Sequence, residues 1–508
     1  MPSNKGMSAN VYDTVPYPSA VYPQTHPDRL AVIGTLYGLD VPPVERCRVL
    51  ELGCGDGWNL IAMAYGLPGS EFVGVDTAAS PIAHGAALTA GLGLSNLSLR
   101  HMDVAAAAEL GEFDYIIAHG LFSWVAEPVR EQILQLCERC LAPSGVAYVS
   151  YNAYPGNHLR DLVRGMMRYH IAHFADPEEK VRQGRALVKF LASSQEPRHL
   201  YHQILAHEVD RFDSYTDAGI LHDDLSPNNQ PFYFHEFMAQ ASAHGLQFLA
   251  EADMPDNAPR SYPPHVEAAL ANLDPADVVV REQYVDFLRG RPFRQTLLCR
   301  REQHRLSAPL PERVMRLRAA GDIHLPASAG DPHTHQSEIL CGLNGSEIEC
   351  DQPLIKSALL HLGTVWPECL AFDELLDRAA AAGTDQPPDL ASSLATDLVR
   401  AYAAGFLQLR AHRPPLSVRP ALRPRTSALA RLQLRSGNRV TSLLHTIVQI
   451  DDPLGRALVQ LLDGSRDRAM LEIELANVAD TSGQPITAEA LEASLCGLGR
   501  RALLFHAE

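Results

Sequence analysis

The stretch Val49-Leu-Glu-Leu-Gly-Cys-Gly-Asp-Gly-Trp-Asn59 decides the fold. Apolar residues lead into one acid, Glu51. Three glycines follow at alternate positions, Gly53, Gly55 and Gly57, and residues 58–65 read as the opening of a helix. Strand, tight turn and helix N-terminus therefore lie within one short segment. Glycine serves such a turn in two ways: it adopts backbone angles that other residues resist, and it lets a ligand approach the backbone where a Cβ would stand. The segment reads as the floor of a nucleoside-cofactor site.

Outward from it, strand and helix alternate. Strands are predicted at 48–52, 71–75, 97–101, 113–118 and 145–151, with helices at 59–65, 81–91 and 131–141 and a turn at Pro143-Ser-Gly145. Such alternation implies a parallel sheet covered on both faces, with ligands at the C-terminal strand ends. Those ends carry Gly53, Gly55 and Gly57, then Asp76, then Met102-Asp103, then His119-Gly120. A carboxylate at Asp76 can accept from both ribose hydroxyls, and one at Asp103 can accept from the exocyclic amine of adenine. A dinucleotide site would show G-x-G-x-x-G. Here the spacing is G-x-G-x-G, and Glu51 stands two residues before it. A carboxylate repels phosphates and attracts an ammonium, so the charge pattern favours S-adenosyl-L-methionine over NAD.

E-L-G-C-G-D-G at 51–57, V-G-V-D at 73–76 and M-D-V at 102–104 together resemble the class I methyltransferases. By that resemblance Gly53 and Gly55 line the methionine portion, and Asp76 holds the ribose. Asp103 reads adenine with the backbone of Met102 and Val104, and Glu51 and the His119 loop approach the amino-acid end. Tyr12, Tyr17, Cys54, Gly57, Asn59, Thr77, Gly120 and Phe122 complete the candidate cofactor contacts. Further segments narrow the resemblance: Tyr12-Asp-Thr-Val-Pro-Tyr17 with Thr25-His-Pro27, Ser150-Tyr-Asn-Ala-Tyr-Pro-Gly156, Phe232-Tyr-Phe-His-Glu-Phe237 and Phe293-Arg-Gln-Thr-Leu-Leu298. These are similar to bacterial methyltransferases with a methyltransferase regulatory domain, among them the rickettsial lysine methyltransferases that modify outer-membrane proteins. The resemblance implies a protein or peptide acceptor, a lysine amine as nucleophile, and a homodimer.

Strands six and seven are predicted at 247–252 and 293–300. The fold is thus α/β: a Rossmann-like, seven-stranded methyltransferase domain, followed by a C-terminal α+β region with winged-helix-like units. The predicted segments are an N-terminal aromatic and proline-rich cap (1–45), the cofactor-binding core (46–155), and a helical insertion serving as lid or dimer contact (156–228). A regulatory region completing the sheet (229–302), a connection (303–350) and winged-helix-like units at 351–415 and 425–508 follow. Within the insertion, helices are predicted at 159–174, 178–193 and 199–210. The connection has the look of strands around Gly330-Asp-Pro. Three tyrosines and four prolines between residues 11 and 30 describe either a surface arm or an aromatic lid, with Tyr12, Tyr17 and His26 facing the cofactor.

Methyl transfer to an amine needs an uncharged nucleophile, which an apolar, aromatic site favours, and alignment without water. Tyr151, Asn152 and Tyr154 after strand five, with His119 and Trp124 after strand four, are the candidates for this work. His235-Glu236 is a weaker candidate, and Cys54 reads as packing rather than a nucleophile. No Asn/Asp-Pro-Pro-Tyr/Phe motif follows strand four, which counts against methylation of DNA bases or glutamine.

The bulk numbers agree. The 508 residues are too many for one core, and a formal net charge of -17 argues against nucleic acid as the partner. No apolar run reaches the length of a membrane span, and residues 1–10 lack the apolar core of a signal peptide, so a cytoplasmic location is expected. The nine cysteines suggest no disulfide framework, Cys137-x-x-Cys140 reads as two helix cysteines, and no metal site is predicted. Two other functions fit less well: transfer to a small molecule, and a non-catalytic cofactor-binding scaffold.

Overall fold

The computed structural model describes residues 11–257, 262–274, 277–326, 335–381, 389–479 and 487–506. Residues 1–10 and the Gly330-Asp-Pro turn lie outside them.

Seven strands form the central sheet: β1 Arg48–Leu52, β2 Glu71–Asp76, β3 Leu97–His101, β4 Phe113–Ala118, β5 Leu141–Asn152, β6 Leu246–Glu251 and β7 Phe293–Arg300. Their order is β3-β2-β1-β4-β5-β7-β6. β7 runs antiparallel to both neighbours, so the two downstream strands close the sheet as the sequence implied. The expected turn at 143–145 does not interrupt the fifth strand. β5 begins at Leu141, paired with Phe113, and a register shift between Phe113 and Tyr115 absorbs the extra residues.

Each face of the sheet is apolar and covered by helices, as a buried parallel sheet requires. Leu30, Leu60 and Ile61 pack on one face with Val49 and Ile117. Ile133, Leu134 and Phe237 pack on the other with Leu50, Ile116 and Val149. Arg294 of β7 is fully buried. Its guanidinium lies 3.8 Å from the ring centroid of Phe234, and it donates to Asp286 at 2.8 Å and to Glu251 at 2.6 Å.

The insertion consists of helices Asn157–Ile171, Pro177–Ser193, Leu200–Ser214 and Asp217–Asp223. It has its own core of Met167, Val188, Leu205, Phe212 and Ile220. The next body spans the expected boundary at 350. Its three-stranded sheet places Arg318–Ala320 between Leu370–Ala371 and Gln408–Arg410. Helices Pro353–Val365, Phe372–Ala381 and Leu390–Ala403 cover it. Its core runs on into that of helix Pro27–Leu36, with Leu359, Phe406 and Leu30 in one apolar cluster.

The last body has a separate core of Val440, Val459, Leu475 and Leu495. Helix Ala428–Gln433 precedes a hairpin of Arg439–Thr441 and Ile447–Gln449, and helices Pro453–Leu461, Arg468–Ala479 and Ala488–Arg500 follow. The sequence reading expected a winged-helix-like unit over 425–508 and placed no hairpin in it. Three-residue strands are too short to show an alternating pattern.

Candidate active site

The glycine turn is built as its residues dictate. Gly53, Gly55 and Gly57 all take positive φ, at 71°, 57° and 70°. The amides of Gly53 and Cys54 donate to the carbonyl of Val75, which ties the turn to the end of β2. A Cβ on Gly55 would meet nothing within 4 Å, because that position faces a cleft. Gly85, outside the motif, packs directly against this turn. A Cβ there would come within 1.9 Å of the carbonyl oxygen of Asp56, so the helix Ala79–Gly91 can approach only where it lacks a side chain.

Glu51 is the last residue but one of β1 and is 4 % exposed. Its Oε1 accepts from Asn59 Nδ2 at 2.9 Å. Its Oε2 is buried without a hydrogen-bond partner among the described residues. Burial pushes the carboxyl up to about 8, against the pull of Asn59. A buried carboxylate with one oxygen unmet calls for a cationic donor, and the ammonium of an amino-acid moiety supplies one. Asp76 has both oxygens on backbone amides, Oδ2 on Gly55 at 2.9 Å and Oδ1 on Ala78 at 2.8 Å. It faces the same cleft, where a ribose diol can share its lone pairs. Asp103 accepts from Ala105 at 2.9 Å and caps the turn that begins at Val104. These residues fit S-adenosyl-L-methionine: an acid for the ammonium, an acid for the ribose, an exposed acid for the base.

The cleft has a volume of about 1420 Å³. It is lined by Tyr12, Tyr17, Glu51, Gly53, Cys54, Gly55, Asn59, Asp76, Thr77, Met102, Asp103, Val104, His119, Gly120, Trp124 and Asn152, all singled out from the sequence. Its far wall comes from the insertion, through Leu159, Arg160, His207, Glu208, Arg211, Tyr215 and Asp223. Sequence reasoning named none of these, since nothing local marks a helix face that borders a distant strand end.

Several expected contacts lie off the cleft. Gly57 turns toward Leu99, whose Cδ2 would meet a Cβ at 2.5 Å. Phe122 is fully buried and packs against Phe232 and Phe237. Tyr151 points to the opposite face of the sheet, stacked on Phe237 at 4.2 Å, with its hydroxyl 3.3 Å from that of Thr296. Alternation along β5 sends Tyr151 inward and Asn152 to the cleft. Tyr154 stacks on His158 at 3.9 Å and donates to Asp161 at 2.8 Å, beyond the cleft lining. Met102 stays in the cleft lining, but its amide is taken up by the carbonyl of Asp76 at 2.9 Å. His26 packs between His412 and His445 on the far side of the floor. His235 and Glu236 cap and pin the helix Phe234–Ala243.

His119 is in the cleft, but as a neutral group. Burial holds its imidazole down to about 4, and its Nδ1 lies 2.9 Å from the hydroxyl of Tyr148. So weak a base orients partners and does not take a proton at neutral pH. Tyr22, which the sequence reading passed over, packs on this imidazole at 4.0 Å between ring centroids.

Three family descriptions match parts of the chain: "Methyltransferase domain" over residues 49–145, "Predicted methyltransferase regulatory domain" over 216–300, and "PKMT, C-terminal winged helix domain" over 423–490. The regulatory match contains β6 and β7. The chain is 40% identical over 292 residues to RP789 of Rickettsia prowazekii, covering 57% of this chain and 52% of that protein. It therefore spans about half the length of that relative. It is 35% identical over 240 residues to RP028 of the same organism, covering 47% of this chain and 96% of that protein. The solved structure of PKMT2 from Rickettsia typhi in complex with AdoHcy superposes with a TM-score of 0.85 at 26% identity, covering 96% of this chain and all of that one.

Proposed function

The chain belongs to the bacterial class I S-adenosylmethionine-dependent methyltransferases that carry a methyltransferase regulatory domain, and from that premise we propose that it methylates a lysine side-chain amine of a protein. The observation that carries the reading is the cleft itself. At about 1420 Å³ it exceeds the roughly 300–1,000 Å³ of a single small-ligand site, so it has room for a cofactor and a protruding acceptor side chain together. Likeness to a PKMT along nearly the whole chain, and to a PKMT winged-helix domain, supports a protein-lysine acceptor.

When bound, the cofactor supplies a methyl on a sulfonium: the amine, having released a proton to solvent, forms the new C–N bond with its lone pair as the C–S bond breaks and its electrons return to sulfur. The chain's part is to hold and align. Glu51 anchors the amino-acid end and Asp76 the ribose. His119, neutral and fixed by Tyr148, together with Trp124 and Asn152, lines the space where the acceptor enters. An SN2 displacement of this kind gains chiefly from alignment and exclusion of water. We place the protein in the cytoplasm, and its pairing into a homodimer through the insertion, whose helices expose Tyr169, Phe190 and Leu200.

The test is incubation of the full chain with S-adenosylmethionine and candidate proteins, read by peptide mass spectrometry. Methyl groups on lysine are expected. Methyl groups found only on small molecules would sink the reading.

A further inference from the structure

On the insertion's side, the cleft wall holds an acid in an environment unlike that of Glu51 or Asp76. Asp223 ends the last insertion helix. Its Oδ2 accepts from two phenols, Tyr17 at 3.1 Å and Tyr215 at 3.2 Å. Its Oδ1 makes no hydrogen bond among the described residues. The phenols come from segments far apart in sequence: Tyr17 from the N-terminal arm, Tyr215 from the insertion. The arm is tied to the insertion a second time, through His222, whose Nε2 lies 2.7 Å from the carbonyl of Val15 and whose ring stacks on Tyr12 at 4.3 Å.

Two more tyrosines join this acid to the cofactor floor. Tyr22 gives its amide to Asn59 at 3.0 Å and packs on His119. Burial, with Glu51, Asp223 and Tyr215 around it, pushes its phenol up to about 12. Tyr12 is pushed up to about 12 as well, by burial and then by Asp223 and Asp76. Each of these rings therefore feels the field of a floor carboxylate and of Asp223 at once. Tyr12, Tyr17, Tyr22, Tyr215 and Asp223 all line the cleft.

We propose that Asp223, with the rings of Tyr17, Tyr22 and Tyr215, forms the slot that receives the acceptor lysine, aligning its amine toward the cofactor floor. The identity of the occupant rests on the proposed function. The chemistry matches a lysine in both of its parts. Aromatic faces cover a four-carbon stem and attract a cation at its end. A carboxylate bounded by phenols on one oxygen keeps the other for an ammonium donor, which binds charged and releases one proton to solvent before transfer. Arg160 stands nearby but is engaged with Asp224 at 3.2 Å. A methylated ammonium keeps its charge, so the slot holds product and substrate by the same forces.

The experiment uses the full chain saturated with AdoHcy and two probes, Nα-acetyl-lysine methylamide and its norleucine counterpart, with binding read by ligand-observed NMR. The lysine probe should bind and the norleucine probe should not. Asp223→Asn, which keeps the shape, should weaken the lysine probe by about tenfold and leave the AdoHcy dissociation constant within about twofold. Should that variant misfold, Tyr215→Ala should weaken the probe severalfold while Tyr215→Phe, which keeps the ring, should not. No binding of the lysine probe, equal binding of norleucine, or equal affinity in Asp223→Asn would each overturn the slot. Methylation of protein lysines with unchanged kcat/KM in Asp223→Asn would remove the slot and leave the function. Binding of both AdoHcy and the lysine probe, with no methyl reaching any protein amine, would do the reverse.

Discussion

His445 donates from Nε2 to Oδ1 of Asn59 across 2.8 Å, and so the C-terminal body reaches the cofactor floor. The direction of this bond is fixed by its neighbours. The Tyr22 amide, which can only donate, meets the same Oδ1 at 3.0 Å. Asn59 Nδ2 then donates to Glu51 at 2.9 Å and to Thr25 Oγ1 at 3.0 Å. One asparagine thus joins the arm, the end of β1 and the hairpin turn between Arg439–Thr441 and Ile447–Gln449. His445 holds a positive φ of 56° to make this contact, a conformation that costs a non-glycine residue about 1–3 kcal/mol.

Replacing His445 by Gly removes that backbone cost and the hydrogen bond together. AdoHcy affinity should fall about three- to tenfold, since a lost buried hydrogen bond costs about 1 kcal/mol and loosens the residue that orients Glu51. Calorimetric titration measures it. Unchanged affinity would show that the C-terminal body is docked on the floor without influence on the site.

Glu51 predicts a pH dependence for both binding and stability. In the folded protein its carboxyl holds a proton up to about 8, against 4.5 ordinarily. Below 4.5 both folded and unfolded states are protonated and its contribution is fully present. Between 4.5 and 8 only the folded state keeps the proton, so stability falls as pH rises through that window. Ligand affinity should move the other way, because the ammonium needs the carboxylate: AdoHcy should bind more tightly from pH 6 to about 8, releasing a proton. Glu51→Gln should flatten the stability profile, raise the melting temperature of the ligand-free protein at pH 8, and lose AdoHcy binding. Thermal melts across pH with and without AdoHcy would read all three.

Asp76→Ala should abolish measurable AdoHcy binding. The variant removes the ribose acceptor and also frees the amides of Gly55 and Ala78, which shape the turn. Retained affinity would overturn the placement of the ribose.

Arg294→Ala should be far more damaging than a surface change. It would take from Glu251 and Asp286 their shortest cationic contacts and leave Arg291, 3.6 Å and 2.9 Å away, to compensate them, so the cost should sit near the low end of a broken buried pair, about 3 kcal/mol. Urea denaturation measures the loss. The loss should fall on the junction of β6 and β7 with helix Val278–Arg289, which this arginine joins.

The sequence by itself determined which strand ends meet in the cleft where we propose that the cofactor binds. Glu51, Gly53, Gly55, Asp76 and Asp103 were legible because strand ends, a glycine turn and the sign of a charge are local features, and the parallel-sheet rule brings the ends together. β3, β4 and β7 were placed to the residue for the same reason. Only the tertiary structure decided the wall that we propose for the acceptor. Tyr151 was drawn away by the alternation of β5, and Phe122 by the aromatic core beneath the sheet. Asp223 became a cleft residue only when the arm carrying Tyr17 folded against the insertion, 206 positions away. His445 lies 386 positions from Asn59. Contacts at such separations are set by how whole bodies dock, and no local periodicity, spacing or charge records that.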